Sequence, residues 1–190
     1  MRVKIRFTEP LLGAVPKDPE VYKSYIATKA PKPEEAEAEA VDVQATEEKG
    51  WTGFLADEGG LFIYDYVIKG FLKHAGNVLK ENVRVKNLRS KIDDLVFIFP
   101  RKIHLGKDKA DGVLERPLRA MTLQGPRVTL ARSDTVNAGT EIEFDITIIQ
   151  NKGEKSEITE DLIWTLLDYG KFMGLGQFRN GSYGRFEIVR

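Results

Sequence analysis

The sequence predicts an α+β fold. Three observations predict it: strict alternation of apolar and polar residues over 141–148, apolar residues at helical spacing in two separate segments, and short β-type runs before, between and after them. The 190 residues contain no internal repeat and fit a single domain spanning 1–190.

Taken in order, residues 1–7 alternate charged and apolar side chains. This reads as a first strand over 2–8 and not as a signal peptide. Residues 12–50 break the pattern. Their run Pro33-Glu34-Glu35-Ala36-Glu37-Ala38-Glu39-Ala40 has no apolar stripe at helical spacing, so it reads as an acidic insertion or arm that cannot pack as core. Residues 61–64 form a short extended run. Asp65 stands where an N-cap belongs, and Ile68, Leu72, Ala75 and Leu79 step by 4, 3 and 4 along the helix that follows. Gly70 and Gly76 each weaken that helix by roughly 1 kcal/mol relative to alanine. They point to close approach by a backbone or ligand, or to tight helix–sheet packing.

Residues 95–99 and 101–105 read as strands parted at Pro100, with Asp93-Asp94 opening the first. Residues 106–114 read as a polar loop and 115–127 as an arginine-bearing loop with a turn at Gly125-Pro126. Residues 127–131 and 141–148 are strands, the latter half-buried with an acidic outer face. Thr159 caps a second helix running to about 173, where Glu160 and Asp161 suit the positive first turn. A strand over about 183–189 closes the chain. Without insertions, the order β-α-β-β-α-β is that of a ferredoxin-like core with an antiparallel sheet and extra strands. RRM-type RNA binders share this order, although fold order alone does not assign function.

Composition narrows the chemistry. With 42% apolar and 31% charged residues the chain is expected to be a soluble globule. No apolar run reaches the roughly 20 residues of a membrane helix, so no membrane partner is expected. The absence of cysteine removes disulfide scaffolds, zinc ribbons, thiol nucleophiles and iron–sulfur clusters, and fits a cytoplasmic protein. Neither His74 nor His104 belongs to a metal-ligand pattern, so no metal, no cofactor and no catalytic residue is assigned. The balance of 29 basic and 29 acidic residues counts against a nucleic-acid partner only when taken over the whole chain. Residues 1–60 hold 8 basic and 12 acidic residues, and residues 61–190 hold 21 and 17.

The segment Gly174-Leu175-Gly176-Gln177-Phe178-Arg179-Asn180-Gly181-Ser182-Tyr183-Gly184-Arg185-Phe186 packs four glycines, two arginines and three aromatics into thirteen residues. Glycine admits close backbone approach, arginine forks onto phosphate, and aromatic rings stack bases; a glycine-rich turn with core aromatics explains the same composition. It is no Walker loop, because no Gly-Lys-Ser/Thr follows and a helix precedes it. This segment resembles the signature loop of the RAMP superfamily, the ferredoxin-like RNA-binding proteins of CRISPR systems. Three further stretches line up in order: 62–73 with its Lys69-Gly70, 127–144 with Ser133-Asp134 and Ala138-Gly139-Thr140, and the helix 159–173. Together they cover roughly residues 50–190 and are most similar to the backbone subunits that polymerise along guide RNA. The whole chain also resembles small bacteriophage proteins.

The resemblance implies that Lys69, Lys73, Arg179 and Arg185 face RNA or single-stranded DNA, joined by Gly174, Gly176, Gly181, Tyr183 and Gly184 of the loop. Self-association into a homo-oligomer or a larger ribonucleoprotein is implied as well. Some of those subunits carry a cleaving aspartate after the first strand, but the surroundings of Asp18 do not match that site. Arg116, Arg119 and Arg127 cluster near the expected turn, either lining a nucleic-acid groove or pairing with surface acids. The leading expectation is a non-catalytic single-strand nucleic-acid-binding protein, with RNA favoured. Two alternatives stay open: a metal-independent endoribonuclease using His74, His104 or an insertion carboxylate, and a phage-type interaction module acting on a host RNA complex.

Overall fold

The computed structural model describes residues 1–18, 50–122, 125–149 and 157–189, without the side chains of 118–122 and 125–129. The acidic run at 33–48 lies outside the described residues. Strands are β1 (Arg2–Phe7), β2 (Leu11–Leu12), β3 (Val15–Pro16), β4 (Thr52–Gly53), β5 (Leu55–Asp57) and β6 (Gly60–Tyr64). Helices α1 (Asp65–Val78), α2 (Lys80–Val83) and α3 (Leu88–Leu95) follow. Then come β7 (Val96–Phe99), β8 (Lys102–His104), β9 (Gly112–Thr122), β10 (Gly125–Val136), β11 (Glu141–Ile148), α4 (Glu160–Asp168) and β12 (Phe186–Ile188).

The class is α+β. The principal sheet has the order β12-β1-β11-β7, with every pairing antiparallel. Alternation in β1 sends Val3, Ile5 and Phe7 inward, where α1 (Ile68, Phe71, Leu72), α3 (Ile92) and α4 (Ile163, Leu166) complete one core. Thr159 caps α4 as its sequence suggests: its Oγ1 accepts from the Leu162 amide at 3.2 Å. Gly76 is explained by packing, since a Cβ there would stand 2.7 Å from Ile92 Cδ1 of α3. Gly70 faces open space.

The other face of this sheet carries exposed charge in register. Arg2 sits opposite Asp145, Lys4 opposite Glu143 and Arg6 opposite Glu141. Ion pairs link Arg2 to Asp145 and Glu143 (both 3.2 Å), and Lys4 and Arg6 each to Glu141 (2.6 Å). The acidic outer face expected of β11 is therefore neutralised by β1, and the lowered pKa of Glu141 reflects hydrogen bonds from Lys4 and then Arg6.

Several sequence expectations need correction. Residues 112–114 and 115–122 are not loop: β9 pairs with β10 from Gly112↔Thr135 to Thr122↔Gly125, forming a long hairpin. Asp93-Asp94 do not open a strand but lie near the end of α3. Tyr64 is the N-cap of α1, and Asp65 is its first residue, accepting from the Tyr66 amide at 2.8 Å. The last strand is only three residues long, because 183–185 belong to the preceding loop.

Candidate nucleic-acid interface

The glycine-rich segment leaves α4 through a turn at Tyr169–Lys171 and folds back on itself. Gly184 has φ +69°, and a Cβ there would overlap the carbonyl oxygen of Leu175. At Gly174 it would overlap the backbone of Tyr183 and Gly184. Backbone hydrogen bonds close the crossing: the Leu175 amide donates to Gly184 O (2.9 Å) and the Gly184 amide to Pro10 O (2.8 Å). A Cβ on Gly181 would overlap the Phe178 ring, and one on Gly176 (φ +74°) would stand 2.8 Å from Leu12 O. All four glycines admit the chain's own atoms.

The loop is tied to the second sheet, where β10 bridges β2 and β4. Gln177 Oε1 accepts from the hydroxyls of Thr52 (2.9 Å) and buried Ser133 (3.0 Å). Next to Ser133, the 7% exposed Asp134 accepts from Trp51 Nε1 (2.8 Å) and Lys17 Nζ (2.9 Å). The loop and the Ser133-Asp134 stretch, distant in sequence, thus meet in space.

The remaining loop side chains form a stack. The Arg116 guanidinium lies 4.6 Å from the centroid of Phe178, whose ring stacks on Tyr183 at 5.7 Å and 27°. Phe178 is 44% exposed. Arg116 Nε and Nη1 are buried and have no hydrogen-bond partner among the described residues. Arg185 Nε donates to Phe172 O at 3.1 Å. Arg179 acts on His74 of α1: burial lowers the His74 pKa, and the Arg179 charge lowers it further. The side chains of Arg119 and Arg127 lie outside the described residues.

On α1, Lys69 and Lys73 line a cleft of about 440 Å³ with Tyr66, His74, Arg89 and Asp93. Asp93 receives both lysines, its carbonyl oxygen from Lys69 Nζ and its Oδ2 from Lys73 Nζ, each at 2.7 Å. The Lys73 hydrogen bond is the main reason its carboxyl is held below the usual range. The structure therefore gathers the predicted residues into two groups, Lys69 with Lys73 and Arg116 with Tyr183, with the Arg179 charge acting on His74 of α1.

Sequence reasoning missed the segment over 80–91. It holds Lys80, Arg84, Lys86, Arg89 and Lys91 against the single acid Glu81. The signal is plain in the sequence, but charge totals over 61–190 dilute it. Lys102 Nζ lies 2.7 Å from Asp57 Oδ2, and His104 Nε2 lies 2.8 Å from Asp57 Oδ1; Lys102 first and then His104 hold the Asp57 carboxyl well below its ordinary range. No cluster of three or more metal-ligating side chains occurs among the described residues. No described helix is long and apolar enough to cross a membrane.

No family model matches the sequence, and no curated protein matches it. Among solved structures the chain is similar in fold to a chain of the cryo-EM structure of the Type III-B Cmr-beta bound to cognate target RNA. The TM-score is 0.51 at 13% identity, over 100% of this chain and 58% of the other. The present chain thus spans 58% of that relative's length, and the likeness is one of fold.

Proposed function

We propose that this chain is a non-catalytic, single-strand nucleic-acid-binding protein of RAMP type with a ferredoxin-like core, RNA being the favoured ligand. The core reading is supported by the sheet order β12-β1-β11-β7, which places the last strand beside the first and β7, the second strand of this sheet in chain order, at the far edge. One observation carries the function. Two groups each set cations beside exposed rings: Lys69 and Lys73 share a cleft with Tyr66 on α1, and Arg116 lies over the part-exposed Phe178–Tyr183 stack, while Arg179 of the loop acts on His74 of α1. Cations for phosphates and rings for bases are what sequence-tolerant single-strand binding requires. Fold similarity to a chain from an RNA-bound complex supports RNA, and assembly along the strand or into a larger ribonucleoprotein belongs to the same proposal.

Filter-binding of single-stranded RNA and DNA across a salt series tests it. Affinity should fall steeply with salt, and Arg179→Gln with Arg185→Gln should weaken it. Absence of binding to either polymer at low salt refutes the proposal. A second reading, metal-independent RNA cleavage, is favoured by Asp57 holding His104 beside Lys102. Chelator-resistant cleavage of labelled RNA that His104→Ala abolishes would establish it, and intact RNA excludes it.

A further inference from the structure

The α1 cleft does not end at Asn77. A second cleft of about 510 Å³ continues from Asn77 and Arg89 along α2 and the start of α3, lined by Lys80, Arg84 and Lys86. The two together present six cations and two carboxylates, Asp93 and Glu81. Lys69 and Lys73 are held by Asp93, whereas no carboxylate among the described residues pairs with Lys80, Arg84, Lys86 or Arg89. All four are exposed. Such a row of like charges is repulsive, and the described residues give it no carboxylate partner. An extended polyanion lying in the groove would relieve it. The ion-paired open face of the principal sheet offers no comparable field.

At the opposite end of the groove stands Tyr66, 61% exposed. Its ring stacks on Tyr64 at 5.2 Å and 26°, and the Arg101 guanidinium lies 5.8 Å from the Tyr64 centroid. A cation, a ring and an outer ring follow one another, the same sequence as in the Arg116–Phe178–Tyr183 stack. A nucleobase would extend the series by one member.

We infer that the groove between α1 and the α2–α3 segment is the track of a single-stranded nucleic acid: phosphates lie along Lys80, Arg84, Lys86 and Arg89, and a base stacks on Tyr66. This rests on the single-strand binding reading above and adds a site to it. A mixed row of lysine and arginine suits a flexible phosphodiester chain, and six cations along the groove do not suit an apolar helix.

The test uses filter-binding of an end-labelled uridine-rich RNA of about 20 nucleotides, about one to a few single-strand site lengths, over a salt series. Replacing Lys80, Arg84, Lys86 and Arg89 together by glutamine should flatten the slope of log affinity against log salt by about 0.7 per lost contact. Affinity at low salt should drop roughly 100-fold or more. Tyr66→Ala should weaken binding about 5- to 150-fold with the slope unchanged, and Tyr66→Phe should bind as the parent does. Melting temperatures no lower than the parent's confirm that each variant folds. If the parent binds while the quadruple variant keeps its slope and Tyr66→Ala its affinity, the groove is refuted and the general reading stands. If the parent binds nothing, both fall.

Discussion

The crossing of the glycine-rich loop makes Gly184→Ala the most informative single substitution. Placing an L side chain at φ +69° costs about 1–2 kcal/mol. The new methyl overlaps the Leu175 carbonyl, which is backbone and cannot rotate aside. Relief requires the two segments to part, disrupting the Leu175–Gly184 and Gly184–Pro10 hydrogen bonds at about 1 kcal/mol each. The sum is roughly 3–4 kcal/mol, a large share of the roughly 5–15 kcal/mol that holds a domain together. At about 2–4 °C per kcal/mol for a chain of this length, melting should fall by about 6–16 °C, read by circular dichroism. Arg179→Gln should leave melting alone. A Gly184→Ala variant that melts with the parent would refute the view that these glycines serve the loop's own backbone.

Three further outcomes follow from the geometry. Gly70→Ala should raise stability by about 1 kcal/mol, because its methyl enters open space on a helix; urea unfolding reads this directly. Gln177→Leu should cost roughly 1–3 kcal/mol, since it removes the acceptor shared by Thr52 and buried Ser133; a neutral result would mean those hydroxyls find other partners. The lowered His74 pKa makes the unfolded chain take up the proton first, so its contribution to stability is present above pH about 6.5 and is lost as pH falls through that value. Melting between pH 7.5 and 5.5 should decline, and His74→Gln should flatten that part of the profile.

Periodicity reveals elements whose own residues decide them. Strand β1, strand β11 and helices α1 and α4 bury one regular stripe each, so alternation or helical spacing marks them. Helix α3 hides because its stripe of Leu88, Ile92 and Leu95 spans only eight residues, too short a window to mark a helix, and runs directly into a strand. Strand β9 hides because Pro117 and its arginines look like loop, and only pairing with β10 makes it a strand. Register is likewise tertiary: nothing local says that Lys4 lies across from Glu143, so the acidic face of β11 looks unpaired in one dimension. At the candidate site, residue types single out α1 and the glycine-rich loop. The purpose of the loop glycines, and the joining of Ser133 to Gln177, require the fold.

Asp134 ties together two points of the chain that are far apart in sequence. It grips Lys17 and Trp51, and the Lys17 amide donates to Trp51 O at 2.9 Å, beside the β3–β4 pairing. Both roots of the segment between them are therefore clasped by the body. One carboxylate thus fastens the chain both where it leaves the body at Lys17 and where it rejoins it at Trp51, so Asp134→Ala would unfasten two distant points in a single change and leave the β3–β4 pairing and the Lys17–Trp51 backbone hydrogen bond to hold them.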